Sequence, residues 1–487
     1  MTKAFLPLLL AACAFGATKP EEIVPKPKAP FVQPAEAERA ELHKSIQAYM
    51  ALPAEQVTAH PAAKDFPGAV DSKERVTRAV AYDGNLVHRW DTAASNAPNL
   101  ATSPDAWQET GLYAAPGEIV TVTAASLPEG RTVRIVVGCH RDGLLKLEKW
   151  QRFPLITRTF DLQPGENKVA NAFGGQLFIQ VRNGAAAKGN GKAGKAAPGK
   201  AAAGPATLTF ANAVAMPTYV LGKDTPETWK QSLASSPAPW VTFVAKHAIL
   251  HVRRATVAKI ADPKPITEWW DKAMDLEDDL IALRRLAPER VVPDVQISAG
   301  FMHSGYPFMC FINPSEAEIV DLAKLSTKGN WGFFHELGHN HQRTDWTFPG
   351  QTEVTCNLFS LYCMEKLVGL PRGSGHGSVK DLEANMAKRL ATPPNLGPFE
   401  QLAPFIALIQ AHGWEPLRST LRSYADSPAK GDLAAKQNAF VLRYGQAAKA
   451  DVSDFFTKLG YPVTAETKQA LKAFPAYSYV PAATAGK

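Results

Sequence analysis

Cysteine is scarce. The chain has five in 487 residues, and one of them, Cys13, lies within the first apolar stretch. The other four, Cys139, Cys310, Cys356 and Cys363, are too few to staple a chain of this size, so the fold must rest on its core. Cys356 and Cys363 fall in one stretch with helical spacing, about 10 Å apart between Cα atoms, which is beyond disulfide reach. Charge of one sign is lacking as well. The formal net charge is +7, and Lys188, Lys192, Lys195 and Lys200 sit in a single low-complexity stretch, so the remainder carries only +3. A nucleic-acid partner therefore gets little support. Beyond the N-terminus no apolar run is long enough to span a bilayer, and internal repeats are absent. With 45% hydrophobic and 20% charged residues, the composition is that of an ordinary globular chain.

Five segments follow from composition and patterning. Residues 1–17, MTKAFLPLLLAACAFGA, have a lysine, a short apolar run and small residues near a cut, the layout of a secretory signal. Leu10-Ala11-Ala12-Cys13 also resembles the lipobox of bacterial lipoproteins, which implies a lipid anchor at Cys13; the alternative is a plain cut after Ala14 or Gly16. Either reading predicts a protein exported from a bacterium, secreted or held at the envelope. Residues 18–80 read as an extended proline-rich tether (18–35) followed by a helical extension. Residues 81–230 hold short β-branched and aromatic runs separated by Gly, Pro and Asn turns, an antiparallel β unit. Within it, the Ala/Gly/Lys stretch 184–206 cannot bury apolar area and is expected as a disordered insertion. Residues 231–370 mix strands and helices, with a capping box of Ser315 and Glu318 predicted to open a helix through Leu325. Residues 371–487 are mostly helical. The fold class expected from this order is α+β.

The stretch WGFFHELGHNHQ, residues 331–342, carries the chemistry. On a helix His335 and His339 project from one face a turn apart, close enough for two imidazoles to share one tetrahedral ion, with Glu336 beside them. Zinc lowers the pKa of a water it holds to about 7, and a neighbouring carboxylate can take the proton as the hydroxide attacks a carbonyl. A catalytic zinc needs a third protein ligand. Asp345 stands where the pattern HExxHxxGxxH would put it, but Gln342 replaces the turn glycine of that pattern. His341 points away from the metal face. Glu353, on a second helical stretch reached through TDWTFPGQT, is the leading candidate, and Cys356 shares its face. His303 and Tyr306, in FMHSGYPFM, are candidates for an oxyanion donor or a cleft wall. Asp345 and Trp346 lie in the loop between the two helices, where turn chemistry competes with a place in the cleft.

HELGHNHQ, then Trp346, then Glu353-Val354-Thr355 with Asn357-Leu358-Phe359-Ser360, resembles the enhancin-like zinc metallopeptidase family. Trp107 with TGLYAAPGE, the GGQLFIQV strand, FANAVAMPTY, HSGYPF at 303–308 and HGWEPL at 412–417 fall in the same order, so the resemblance covers about residues 80–475. It implies a zincin-like catalytic core with a β-rich N-terminal unit and a helical C-terminal subdomain. It also implies one Zn2+ held by His335, His339 and Glu353, Glu336 as general base, and an O-glycosylated, mucin-type glycoprotein or glycopeptide substrate. The Ala/Gly/Lys insertion departs from the family's pattern, and no stretch reads as a separate carbohydrate-binding module. Two other readings stay open: a catalytically idle glycan-binding or adhesion protein on the same scaffold, and a peptidase acting on cell-wall peptides.

Overall fold

The computed structural model describes residues 18–94, 97–100, 103–184, 206–391 and 396–480. The leader expected at 1–17, Cys13 included, and nearly all of the 184–206 insertion lie outside them.

Alternation drives the N-terminal half. In Val120–Ala124 the residues Val120, Val122 and Ala124 are buried and the threonines between them are not, as a strand with one face on a core requires. Eight strands among the described residues form an antiparallel sheet. Ala206–Ala215 joins its two halves, pairing with Val120–Ala124 and Val76–Tyr82 along its first part and with Gln108–Ala114 at its end. Its register breaks between Phe210 and Ala213, where Asn212 takes φ 61°, a conformation that asparagine tolerates better than most residues. Leu208, Phe210, Ile135, Ile179 and Val181 fill the core between the halves.

A second, mixed sheet of six strands runs Thr218–Val220, Trp240–Val244, Ala248–Arg253, Glu289–Asp294, Phe308–Phe311, with Met302–His303 at the edge. Its central strand, Glu289–Asp294, is buried throughout, so each of its charges needs a partner. The β unit supplies a partner to each: Arg89 pairs with Glu289, which Arg285 also meets at 2.9 Å, Glu109 pairs with Arg290, and Arg152 donates to Asp294 at 2.8 Å. Helix Lys264–Ile281 packs on the sheet through Trp270, Ala273 and Met274. Among the described residues no helix is long and apolar enough to cross a membrane.

Three expectations change. Residues 18–35 form a 3-10 turn at Pro20–Glu22 and a turn closed between Lys26 and Ala29 rather than one extended run, and they do not stand off as a tether: Ile23 is fully buried, Phe31 stacks on Trp150 at 5.3 Å between centroids, and Gln33 donates to Leu145 O at 2.9 Å. The apolar residues between the prolines anchor the segment on the β unit. The capping box of Ser315 and Glu318 does not form. Ser315 is buried, Glu318 instead accepts from Asn330 Nδ2 at 2.7 Å, and the helix that follows, Leu322–Lys328, is capped by Asp321. Nor do the expected boundaries mark breaks in packing. Thr218–Val220 already belongs to the second sheet, and the helices beyond 371 share one core with Val354, Leu358, Phe359 and Tyr362.

Candidate metal centre

Helix Trp331–His339 starts at Asn330, whose side chain accepts the Phe333 N–H at 3.1 Å, and it ends where the chain turns back toward helix Thr352–Lys366. The two helices touch at Gly338. A Cβ there would meet the backbone oxygen of Cys356 at 2.6 Å and Phe359 Cβ at 3.0 Å, so only glycine allows this approach. The contact brings the first turn of the returning helix onto the histidine face.

There Glu353 Oε2 lies 3.2 Å from His335 Nε2 and 3.4 Å from His339 Nε2, and the two Nε2 atoms are 3.2 Å apart. Three donors around one ion with bonds of about 2.0–2.1 Å in a tetrahedron stand about 3.3 Å from one another. The rest of each ring agrees with this use. His335 Nδ1 is 2.7 Å from Asn357 Oδ1, and His339 Nδ1 is 2.8 Å from Gln342 Oε1. Both amides are oriented by their own donations: Asn357 Nδ2 to Glu353 O at 2.8 Å, and Gln342 Nε2 to Thr352 O at 2.6 Å and Thr355 Oγ1 at 2.7 Å. The carboxamide oxygens can only accept, so each Nδ1 carries the hydrogen and each Nε2 turns a lone pair to the shared point. The donor set fits a zinc ion.

The cluster opens on a cavity of about 350 Å³ lined by His303, Ser304, Glu336, His339 and Glu353 among others. Glu353's side chain is 61% exposed, so the cluster is open to the cavity rather than closed over by protein. Burial lifts the Glu336 carboxyl above its ordinary value, against the lowering pull of the two histidines.

The other sequence candidates separate. Asp345 is buried, paired with Arg343, and accepts the Ala429 N–H at 2.9 Å. Trp346 packs in the C-terminal core. Both therefore serve the loop's packing and neither lines the cleft. Tyr306 is also buried, and its hydroxyl accepts from Arg290 Nε at 2.8 Å and Trp107 N at 3.3 Å, which takes it out of the oxyanion role. His303 does line the cavity, but its ring nitrogens already face Asp142 and the Ser304 oxygen, each at 2.8 Å. His341 is fully buried with Nε2 2.8 Å from Asp278. Cys356 Sγ lies 3.5 and 3.7 Å from the two nitrogens of His335. That near-equality puts the sulfur over the ring's face and off the Nε2 lone pair, so although it sits within the cluster it packs against the His335 ring. The sequence reading missed Gln342, Asn357 and Asp142. The only local signals are an amide three residues after His339 and another four after Glu353.

A model of peptidase M60, enhancin and enhancin-like, matches residues 212–460, and one of the N-terminal domain of M60-like peptidases matches residues 85–190. The chain belongs to the M60 family. Its α+β fold is that of M60 catalytic modules: the catalytic module of the metalloprotease ZmpA from Clostridium perfringens superposes with a TM-score of 0.60 at 17% identity, over 82% of this chain and 79% of that one. The M60 catalytic domain of ZmpC from the same organism, solved in complex with the sialyl T antigen, gives 0.59 at 16% identity, over 83% and 80%. In sequence, the bovine (Bos taurus) TRPM8 channel-associated factor 2 is 33% identical over 414 residues, 82% of this chain. The M60 chain spans 42% of that relative's length.

Proposed function

We propose that this M60 chain is an exported, zinc-dependent endopeptidase that hydrolyses peptide bonds in O-glycosylated, mucin-like proteins. The observation that carries the reading is the triangle of His335 Nε2, His339 Nε2 and Glu353 Oε2, 3.2–3.4 Å on each edge, with Glu336 beside it in an open cavity. Zinc in that triangle supplies Lewis-acid activation of water and of the scissile carbonyl. Glu336 takes a proton from the attacking water as the new C–O bond forms. It then delivers that proton to the amide nitrogen as the C–N bond breaks, leaving a carboxylate and an amine. Its raised, burial-driven pKa suits a group that must first accept and then release a proton. A catalytically idle scaffold has no need of all four residues.

The glycan part of the reading draws support from the M60 domain bound to the sialyl T antigen. The test is mass spectrometry of fragments released from an O-glycoprotein, from the same protein stripped of glycans, and from cell-wall peptides. Cuts confined to the glycosylated protein, and abolished by a zinc chelator, support the proposal. Equal cuts after deglycosylation, release from cell-wall peptides alone, or no cuts at all would each overturn it.

A further inference from the structure

The cleft wall carries a second polar couple beside the ligand cluster. His303, in the edge strand Met302–His303, lines the cavity with Glu336 and His339. Its Nε2 meets Asp142 Oδ2 and its Nδ1 meets the backbone oxygen of Ser304, both at 2.8 Å. Both partners are acceptors, so both ring nitrogens must carry hydrogen, and such a ring is an imidazolium. Asp142 belongs to the N-terminal β unit and is itself held: Oδ2 accepts the Ser298 N–H at 2.6 Å, and its backbone oxygen accepts Arg152 Nη2 at 3.0 Å. The neighbouring Gly305 is clamped from the other side by Asn340, at the end of the histidine helix. Gly305 N–H donates to Asn340 Oδ1 at 3.1 Å, and its oxygen accepts Asn340 Nδ2 at 2.9 Å. Residues 303–305 are thus gripped between the β unit and the histidine helix.

We propose that Asp142 is a positioning residue of the site: acting through His303, it fixes the cleft-wall segment 303–305 and keeps a positive charge on the wall beside Glu336. The charged groups facing the couple are Glu336, whose charge favours the protonated ring, and Arg152, whose charge favours ionised Asp142. Burial works to lower the His303 pKa, and the bond and charge of Asp142, together with the Ser304 carbonyl and the charge of Glu336, more than offset it. Because both N–H groups are engaged, His303 acts on negative charge developing at a substrate carbonyl through its field, without a direct hydrogen bond.

The catalytic consequence rests on the peptidase reading; the state of the ring does not, and the test keeps them apart. Asp142→Asn retains the side chain's shape and removes its charge. In protein labelled with 15N-histidine, with the His303 signals identified by their loss in His303→Gln, the ring's titration midpoint should lie above that of an ordinary histidine and fall in Asp142→Asn. With an O-glycopeptide substrate, both variants should keep their metal and lose turnover by at least about tenfold with little change in KM. An unmoved midpoint, or unchanged turnover where the wild type cleaves, overturns the proposal. If the wild type cleaves nothing, the peptidase reading fails, and the titration alone decides whether the couple exists.

Discussion

Gln342 Oε1 lies 2.8 Å from His339 Nδ1, while the same amide's nitrogen donates to Thr352 O and Thr355 Oγ1. One side chain thus orients His339 on the first helix and ties it to the first turn of the helix that supplies Glu353. Asn357 does the same for His335 from the opposite helix. Gln342→Ala and Asn357→Ala should each weaken zinc binding by about 10–100-fold while leaving the fold intact. Competition against a graded series of chelators, with circular dichroism as the control, measures this; wild-type affinity in both variants would mean that the amides do not set the ring orientation.

Glu336→Gln should retain a full complement of zinc and lose at least about 10²-fold in turnover, because the amide keeps the carboxylate's shape and cannot accept the proton. Metal analysis and fragment release, run on the same preparation, check both halves. Substantial turnover in a zinc-loaded variant would assign the base elsewhere.

Glu353 and Asp345 should part company. Glu353→Ala removes one corner of the ligand triangle and should strip zinc with little loss of stability, since the side chain is 61% exposed. Asp345→Asn should keep near-stoichiometric zinc but destabilise the chain by about 3 kcal/mol or more, because Arg343 is left charged and buried without its partner. Urea unfolding and metal content of the two purified variants test the contrast, and the reverse pattern would remove Glu353 from the ligand set.

The join between the β unit and the second sheet should be acid-sensitive through Asp294. Although burial works to raise its pKa, Arg152 and His140 hold the carboxyl at about 2, below the ordinary 3.8. A depressed carboxyl stabilises the fold fully above its unfolded value and ceases to do so as pH falls through the folded one. The contribution should therefore be complete above pH 4 and disappear toward pH 2. Asp294→Asn should lower stability near neutral pH and flatten its dependence across that window; a variant with the wild-type acid profile would show that other carboxylates dominate.

Much of the centre was legible because it is local. The 3.6-residue period alone puts His335 and His339 on one face with Glu336 at hand, and the turn signals in TDWTFPGQT mark where the second helix must come back. The β unit was legible for the same reason, since alternation such as Val120-Thr121-Val122 has a single structural meaning. The local signal failed where a distant partner outbid it. Ser315 and Glu318 have the spacing of a cap, but Glu318 is drawn to Asn330; Tyr306 and Asp345 lie near the motif in sequence, but Arg290 and Arg343 hold them in the interior.

By itself, then, the sequence determined the identity and spacing of the groups that converge at the candidate metal centre, because backbone periodicity fixes where a side chain points within one element. Only the tertiary structure decided what surrounds them: that Gly338 lets two helices close until three donor atoms stand 3.2–3.4 Å apart, that Gln342 and Asn357 hold the rings, and that Asp142 reaches His303 across 161 residues of chain. Those relations depend on how buried charges find partners and how elements pack, and neither is set by any stretch of sequence shorter than the whole fold.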